Sequence, residues 1–263
     1  MKQLYLIGIG PGHPDFLTLQ AIEAMRRVDV FLLLEKAGRG KDELTALRRE
    51  IMQRLLPDGG YRKVHVASPP RPRAVDRDAA AYQAIVADWH AEKRRVFADL
   101  LTTELADGEV GGLLLWGDPT LYDQTVSLVE QVLRELPDPV ELTVIPGISA
   151  VQVLAARHRI PINRVGESIH IITGREAEAL DPASVHNTVV MLDYNASFQR
   201  FVGQDMDIYW GGYLGADDEV LVAGPLDEVL DDLLRIKAEA RDAKGWLMDT
   251  YLLRRRRADE AFD

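Results

Sequence analysis

The 263-residue chain contains no cysteine. That excludes disulfide bonds, thiolate metal ligands and cysteine nucleophiles, and it leaves the redox compartment open. Long apolar runs are missing too. No stretch approaches the ~20 residues that cross a bilayer, so no membrane association is expected. Met1-Lys2-Gln3-Leu4 leads at once into a strand-like run with no secretory leader, and the expected location is cytoplasmic. Positive charge is in deficit: 31 Lys and Arg against 42 Asp and Glu give a net charge of −11, which offers nucleic acid no global attraction. The 6 histidines are scattered, and no pair has metal-ligand spacing on one helix, so no metal is expected. There are no repeats or low-complexity tracts.

What is present reads as an ordinary globular chain, 47% hydrophobic and 28% charged. The length suits one large α/β domain or two modest ones. Strand-like runs alternate with helical patterns through the first half. Leu4–Gly10 reads as a strand, and Asp15–Arg27 has helical spacing at Leu19, Ile22 and Met25. Val28–Leu34 reads as a strand, Lys41–Leu56 as a helix and Tyr61–Ala67 as a short strand. Pro69, Pro70 and Pro72 force a loop. A long helix at Asp78–Leu105, a strand at Gly111–Trp116, a helix at Leu121–Leu136 and a strand at Val140–Ile145 follow. The second half is denser in strands. A helix at Ser149–His158 precedes strands at Ser168–Thr173, Thr188–Asp193, Asp207–Gly212 and Glu219–Ala223, then a helix at Leu226–Ala243 and a strand at Trp246–Leu253. The expectation is two α/β domains, 1–146 with a mostly parallel sheet and 147–263 with a mixed one.

Three strands of the first half end in glycine-proline loops: Gly10-Pro11-Gly12, Gly117-Asp118-Pro119 and Pro146-Gly147. In a parallel sheet such loops share one edge and line one crevice where their strands are neighbours. One such loop is ordinary turn chemistry; three, each directly after a buried strand, favour a ligand site. The first resembles a dinucleotide fingerprint but lacks its third glycine, and Pro11 removes a donor that pyrophosphate needs. Proline offers carbonyls, and Asp118 attracts a cation or accepts from hydroxyls and amines. A cationic ligand with an adenosine-like body, such as S-adenosylmethionine, suits these loops better than a polyphosphate.

Basic charge is concentrated. Arg62, Lys63, His65, Arg71, Arg73 and Arg77 face one acid, Asp76, between Tyr61 and Arg77, and Arg254 to Arg257 form a second run. Each reads as a solvated face or as a local anion site for a carboxylate-rich substrate.

The segments Gly8-Ile9-Gly10-Pro11-Gly12-His13-Pro14-Asp15, Leu115-Trp116-Gly117-Asp118-Pro119-Thr120 and Val144-Ile145-Pro146-Gly147-Ile148-Ser149-Ala150 resemble the three hallmark segments of the tetrapyrrole (corrin/porphyrin) methylases. Ile160-Pro161-Ile162-Asn163 and Ala223-Gly224-Pro225-Leu226 match weaker landmarks. The resemblance runs from about residue 3 to residue 255. It implies a two-domain α/β methyltransferase with the cofactor cleft between the domains, S-adenosyl-L-methionine bound largely through backbone, S-adenosyl-L-homocysteine as product, and a homodimer. The segment from Leu34 to Ile51 and the tail from Met248 are closer to one branch, which methylates C-1 of precorrin-5 and expels the acetyl group there as acetate. By motif, the cofactor-binding positions are Pro11, Gly117, Asp118, Pro119, Tyr122, Ser149, Ala150, Leu192 or Asp193, and Tyr213 and Leu214. His13 stands where many relatives have an acid, and Asp193 stands where the family often has methionine.

Methyl transfer is an in-line displacement that needs alignment above all. Loss of the acetyl group needs water attack, hence a base and an oxyanion stabiliser. Asp118 and His13 are the catalytic candidates, with Asp118 chiefly a cofactor residue and His13 equally a loop residue capping the next helix. Arg71, Arg73 and Arg77 are the candidates for substrate carboxylates. The alternatives are a methylase of the same fold acting at another tetrapyrrole position or on another substrate, a binding protein that keeps the cleft, and an NAD(P)-binding Rossmann oxidoreductase with Glu35 on the ribose.

Overall fold

The computed structural model describes residues 1–35, 42–70 and 79–257. The chain divides into two compact units, Met1–Ile148 and Ser149–Asp263. The first unit runs β1 (Lys2–Gly8), α1 (Leu19–Met25), β2 (Val30–Glu35), α2 (Asp42–Leu55), β3 (Arg62–Ala67), α3 (Ala79–Thr103), β4 (Val110–Leu115), α4 (Thr125–Glu135) and β5 (Val140–Ile145). The strands lie in the order β3-β2-β4-β1-β5, all parallel. Both faces of this sheet are covered, so β1 reads as an unbroken apolar run. Leu4 and Leu6 pack with Phe97, Leu101 and Leu128 of α3 and α4, while Ile7 and Ile9 pack with Ala21, Met25 and Ile51 of α1 and α2. From β1 the chain turns toward β2, past β4; from β4 it turns the other way, past β1, to β5. The two connections leave on opposite faces, so the carboxyl ends of β1 and β4 form the topological switch point, where open α/β sheets bind ligands.

The second unit runs α5 (Ala150–His158), β6 (His170–Thr173), α6 (Gly174–Ala179), β7 (Asn187–Met191), β8 (Met206–Gly212), β9 (Val220–Pro225), α7 (Leu226–Lys244) and β10 (Asp249–Arg255). Its sheet has the order β6-β7-β10-β8-β9, and only β6 and β7 pair in parallel. Trp210, Tyr251, Phe198, Phe201 and Leu233 are the large members of its core.

Two local readings change. Asp15–Arg27 is not one helix. Pro14–Phe16 forms a single 3-10 turn capped by His13, the chain then extends at Leu17, and Thr18 caps α1 by accepting from the Ala21 N–H. The proline and the two caps interrupt a pattern that spacing alone made continuous. The Arg254–Arg257 run divides: Arg254 and Arg255 do not form a solvated face, whereas Arg256 and Arg257 are exposed. Arg254 is buried and donates to the Pro161 and Ile162 carbonyls and to Asn187; Arg255 donates to the Val185, Gln204 and Pro182 carbonyls; Arg256 and Arg257 pair with Asp207 and Glu167. The first two guanidinium groups satisfy carbonyls outside the strands.

A polar network lies inside the second unit. The Lys237 ammonium pairs with Asp249 and donates to the Asp193 carbonyl at 3.0 Å. Trp210 Nε1 donates to Asp249 at 2.9 Å, and the Tyr251 hydroxyl donates to Asp193 Oδ2 at 2.7 Å. Burial raises the Asp249 carboxyl above its usual range, against the opposing Lys237 charge, and holds Tyr251 well above the ordinary phenol value. Lys237→Met therefore strands a buried carboxylate and is expected to cost about 3–5 kcal/mol in urea unfolding. The double variant with Asp249→Asn should recover part of that loss, and equal losses in the two would contradict the pairing.

His158 gives a pH dependence. Its Nε2 lies 3.0 Å from the Trp210 carbonyl, and burial pulls the imidazole below its usual value despite that bond and the nearby Glu219. Below about pH 6.5 the unfolded chain binds a proton that the folded chain resists, so stability present above that pH is lost as pH falls. His158→Gln should flatten the acid limb of melting temperature against pH between 7.5 and 5.5.

Candidate active site

The three loops converge at the switch point of the first unit. Gly10 and Gly117 exchange backbone hydrogen bonds as an isolated bridge, Gly117 N to Gly10 O at 2.9 Å and Gly10 N to Gly117 O at 3.3 Å. Gly147 sits against the end of β1 and the loop that follows β4. A Cβ on Gly8 would lie 2.6 Å from Gly147 N, and one on Gly147 would press into the Gly117 carbonyl. Backbone meets backbone here with no room for a side chain.

Asp118 closes this arrangement. Its Oδ2 accepts from Gly147 N at 2.8 Å, and its Oδ1 accepts from Thr120 N at 2.7 Å and from the Thr120 hydroxyl. The sequence reading gave this carboxylate to a ligand. In the structure it ties the second loop to the third and is a positioning residue. Gly117 differs from its neighbours. Its φ is +65°, and a Cβ there would meet no atom within 4 Å. The backbone is thus open at the point where glycine is needed for conformation, and a ligand can approach it closely. Pro11 and Pro119, which carry no N–H, are buried on either side.

His13 is half exposed, and its Nδ1 accepts from the Asp15 N–H at 3.1 Å. That bond places the proton of the neutral ring on Nε2, so the free nitrogen is a donor. Asp15 also pairs with Arg54 of α2 at 2.7 Å, which anchors the first loop. Tyr122 has φ +55° and is 40% exposed.

In the second unit Ser149 is the N-cap of α5, within a capping box completed by Gln152, and Ala150 opens the helix. Sequence matching left Leu192 and Asp193 as alternatives, and their surroundings separate them. Leu192 has φ +56° and is 65% exposed, whereas Asp193 is 3% exposed. The Asp193 carboxylate accepts from Asn195 N, Ser197 N, the Ser197 hydroxyl and Tyr251. It is a structural acid, not a strand-end carboxylate in water. Tyr213, at φ +49°, buries its ring and sends its hydroxyl to the Ala240 and Trp246 carbonyls, so it presents backbone; Leu214 is buried against Gly211. Among the described residues six non-glycine positions have positive φ, and Tyr122, Leu192 and Tyr213 are three of them. Strain of this kind gathers at binding sites, and it is a signal that sequence does not carry.

Arg71, Arg73 and Arg77 lie outside the described residues. Of the rest of the first basic run, Arg62 pairs with Glu109 at 2.9 Å, His65 hydrogen-bonds Glu35 at 2.6 Å, and Lys63 lies over the Tyr61 ring. Among the described residues no group of three or more His, Asp or Glu side chains could hold a metal ion, and no helix is long and apolar enough to cross a membrane.

A doubly wound sheet with its ligand loops at the switch point, followed by a mixed-sheet unit, is an α/β enzyme architecture. The chain belongs to the Tetrapyrrole (Corrin/Porphyrin) Methylases, whose family profile matches residues 3–230. It is 41% identical over 255 residues to the precorrin-6A synthase (deacetylating) of a Sinorhizobium species, covering 97% of this chain and 96% of that one. A solved protein of Corynebacterium diphtheriae described as related to cobalamin synthesis (CobF) superposes with a TM-score of 0.79 at 35% identity, over 97% of this chain and 98% of that one. A uroporphyrin-III C-methyl transferase of Thermus thermophilus, solved with S-adenosylhomocysteine, shares the fold at 18% identity and a TM-score of 0.56, over 96% and 97% of the two chains.

Gly147→Ala forces the third loop away from Gly117. We expect a loss above about 2 kcal/mol, the range of overpacked sites, read as a lower melting temperature. Gly108→Ala, at a turn with φ +85° where a Cβ meets nothing, is a comparison that strains the backbone without a clash, and its loss should be the smaller.

Proposed function

We propose that the chain is an S-adenosyl-L-methionine-dependent C-methyltransferase of corrin biosynthesis. It methylates C-1 of precorrin-5 and releases the acetyl group at that carbon as acetate. The observation that carries the cofactor assignment is the open, positive-φ backbone at Gly117, framed by two prolines and held by Asp118. The substrate assignment is supported by the 41% identity to the Sinorhizobium enzyme over nearly the whole chain. The loops fit the cofactor chemically: Pro11 and Pro119 carry no N–H, and Asp118 takes up the Gly147 and Thr120 N–H groups, which leaves fewer of the donors that a polyphosphate needs. This weighs against the oxidoreductase reading.

In this reading the family's motif positions Pro11, Gly117, Pro119, Tyr122, Ser149, Ala150, Leu192, Tyr213 and Leu214 bind the cofactor mainly through backbone. Bound there, S-adenosylmethionine supplies an electrophilic methyl group. The chain contributes alignment: the Asp118 bond to Gly147 and the Gly10–Gly117 bridge hold the loops rigid before substrate arrives. Deacetylation requires water to add to the acetyl carbonyl. His13, with its proton on Nε2, is suited to donate to the developing oxyanion and not to remove the proton from water. The remainder of the reading is a cytoplasmic homodimer, and light scattering at twice the chain mass is its check.

Incubation with precorrin-5 and methyl-labelled S-adenosylmethionine should give label in the ring and one acetate per methyl transferred, read by mass analysis. Label without acetate would assign the chain to another ring position. Melting temperature should rise with S-adenosylhomocysteine, and a rise with NADH alone would overturn the methylase reading. Asp118→Ala should weaken S-adenosylhomocysteine binding about tenfold or more, about 1.4 kcal/mol, because the loops lose their tie.

A further inference from the structure

The first unit has a second feature at the carboxyl ends of its strands. A cavity of about 140 Å³ opens beside the ends of β2, β3 and β4, next to the Gly117 loop. Leucines form its floor. Its polar lining is Arg48 and Thr45 of α2, Ser68 after β3, Lys93 of α3, Asp123 before α4 and Thr125 at its start; Trp116 also lines it. The volume is too small for a whole cofactor or macrocycle, whose sites run to about 300–1,000 Å³. It is several times the roughly 30 Å³ share of one water, which suits a carboxymethyl or carboxyethyl arm or an acetate ion.

Arg48 dominates the chemistry. Its Nη1 donates to the Leu34 carbonyl at 3.3 Å. Among the described residues no carboxylate lies within ion-pair distance of it. Asp123 and Glu35 are the acids whose charge it feels, but Asp123 accepts from Thr125 N and Glu35 is hydrogen-bonded to His65. Burial pulls the guanidinium below the ordinary arginine value against both acids. The Lys93 ammonium leans over the Trp89 and Phe97 rings, at 4.9 and 5.8 Å from their centroids. Two cations, three hydroxyls and one engaged carboxylate thus surround a small space with an apolar floor. A guanidinium in such a setting has its remaining fork to offer, and the fork matches a carboxylate in two parallel bonds.

We propose that this cavity is a carboxylate subsite in which Arg48 is the principal partner. The ligand is either a carboxylate arm of the macrocycle or the acetate ion that the reaction releases; only that identity rests on the methylase reading, since the site itself stands on the cavity. Sequence reading placed substrate carboxylates on Arg71, Arg73 and Arg77. Arg48 lay unnoticed within the regular spacing of α2, where it reads as a surface residue.

The test uses the full chain with Arg48→Gln, Arg48→Lys and, as a charge control, the exposed Arg27→Gln, each checked for folding by circular dichroism. Titration with [13C]acetate should give saturable line broadening in the wild type and Arg27→Gln that Arg48→Gln abolishes and Arg48→Lys retains in part. The KM for precorrin-5 should rise about tenfold in Arg48→Gln, with S-adenosylhomocysteine affinity within twofold of wild type. Competitive inhibition by acetate assigns the cavity to a ring arm; noncompetitive inhibition that depends on Arg48 assigns it to released acetate. An equal loss of S-adenosylhomocysteine affinity would overturn the assignment, as would a folded Arg48→Gln with both acetate broadening and KM unchanged. Acetate broadening that depends on Arg48, in a wild-type chain inert toward precorrin-5, would keep the subsite and remove the methylase reading.

Discussion

The first unit depends on one close approach: the backbone of Gly147 against Gly8 and the Gly117 carbonyl. Three strand ends meet there with no side chain between them. Asp118 then spends its carboxylate on Gly147 and Thr120. The combination has an electrostatic logic. Loop N–H groups left without partners would be costly where the loops crowd together, and one carboxylate satisfies two of them. The same contact leaves space beside Gly117, where a Cβ would meet no atom within 4 Å, so the tightest packing in the unit borders an open stretch of backbone. A ligand site made this way is rigid before it is occupied, which is what an alignment-driven reaction requires.

The second unit reaches a similar end with buried charge. Lys237 joins Asp249, which precedes Thr250 in β10, to the carbonyl of Asp193, at the end of β7. Asp193 in turn holds the chain that follows Leu192, and Met248, next to Asp249, accepts from Tyr213 N. One lysine on α7 is therefore linked to two of the positive-φ positions of this unit, Leu192 and Tyr213. Each such position costs roughly 1–3 kcal/mol and persists only where its surroundings fix it. The buried network supplies that fixation. A buried ion pair is weak support for stability as such, and its place beside Leu192 and Tyr213 gives it a positional role instead.

Much of this was legible in the sequence, for identifiable reasons. Buried parallel strands leave unbroken apolar runs, and glycine-proline breaks mark where they stop, so the three loops and their shared edge could be read from Gly10, Gly117 and Pro146. What escaped depends on long-range partners. Nothing local to Asp118 says that Gly147, 29 positions on, will take its carboxylate. Nothing local to Arg254 separates a buried donor to Pro161 and Ile162 from a solvated basic tail. His13 was readable as a cap because its partner, Asp15, is two residues away; the tautomer that follows from the cap was not.

Arg48 marks the same boundary from the other side. On α2 its spacing places it among polar neighbours, and composition alone makes it one arginine of many. Its distinction comes from what surrounds it: leucines at the ends of β2 and β4, an acid already engaged by a helix start, and a carbonyl that takes one of its five donors. A protein built only for stability would fill that space with an apolar side chain, because desolvating a guanidinium without a full set of partners is unfavourable. Retention of the charge in a small apolar-floored cavity, beside the Gly117 loop, is most simply explained by a negatively charged group that enters from outside and completes the fork.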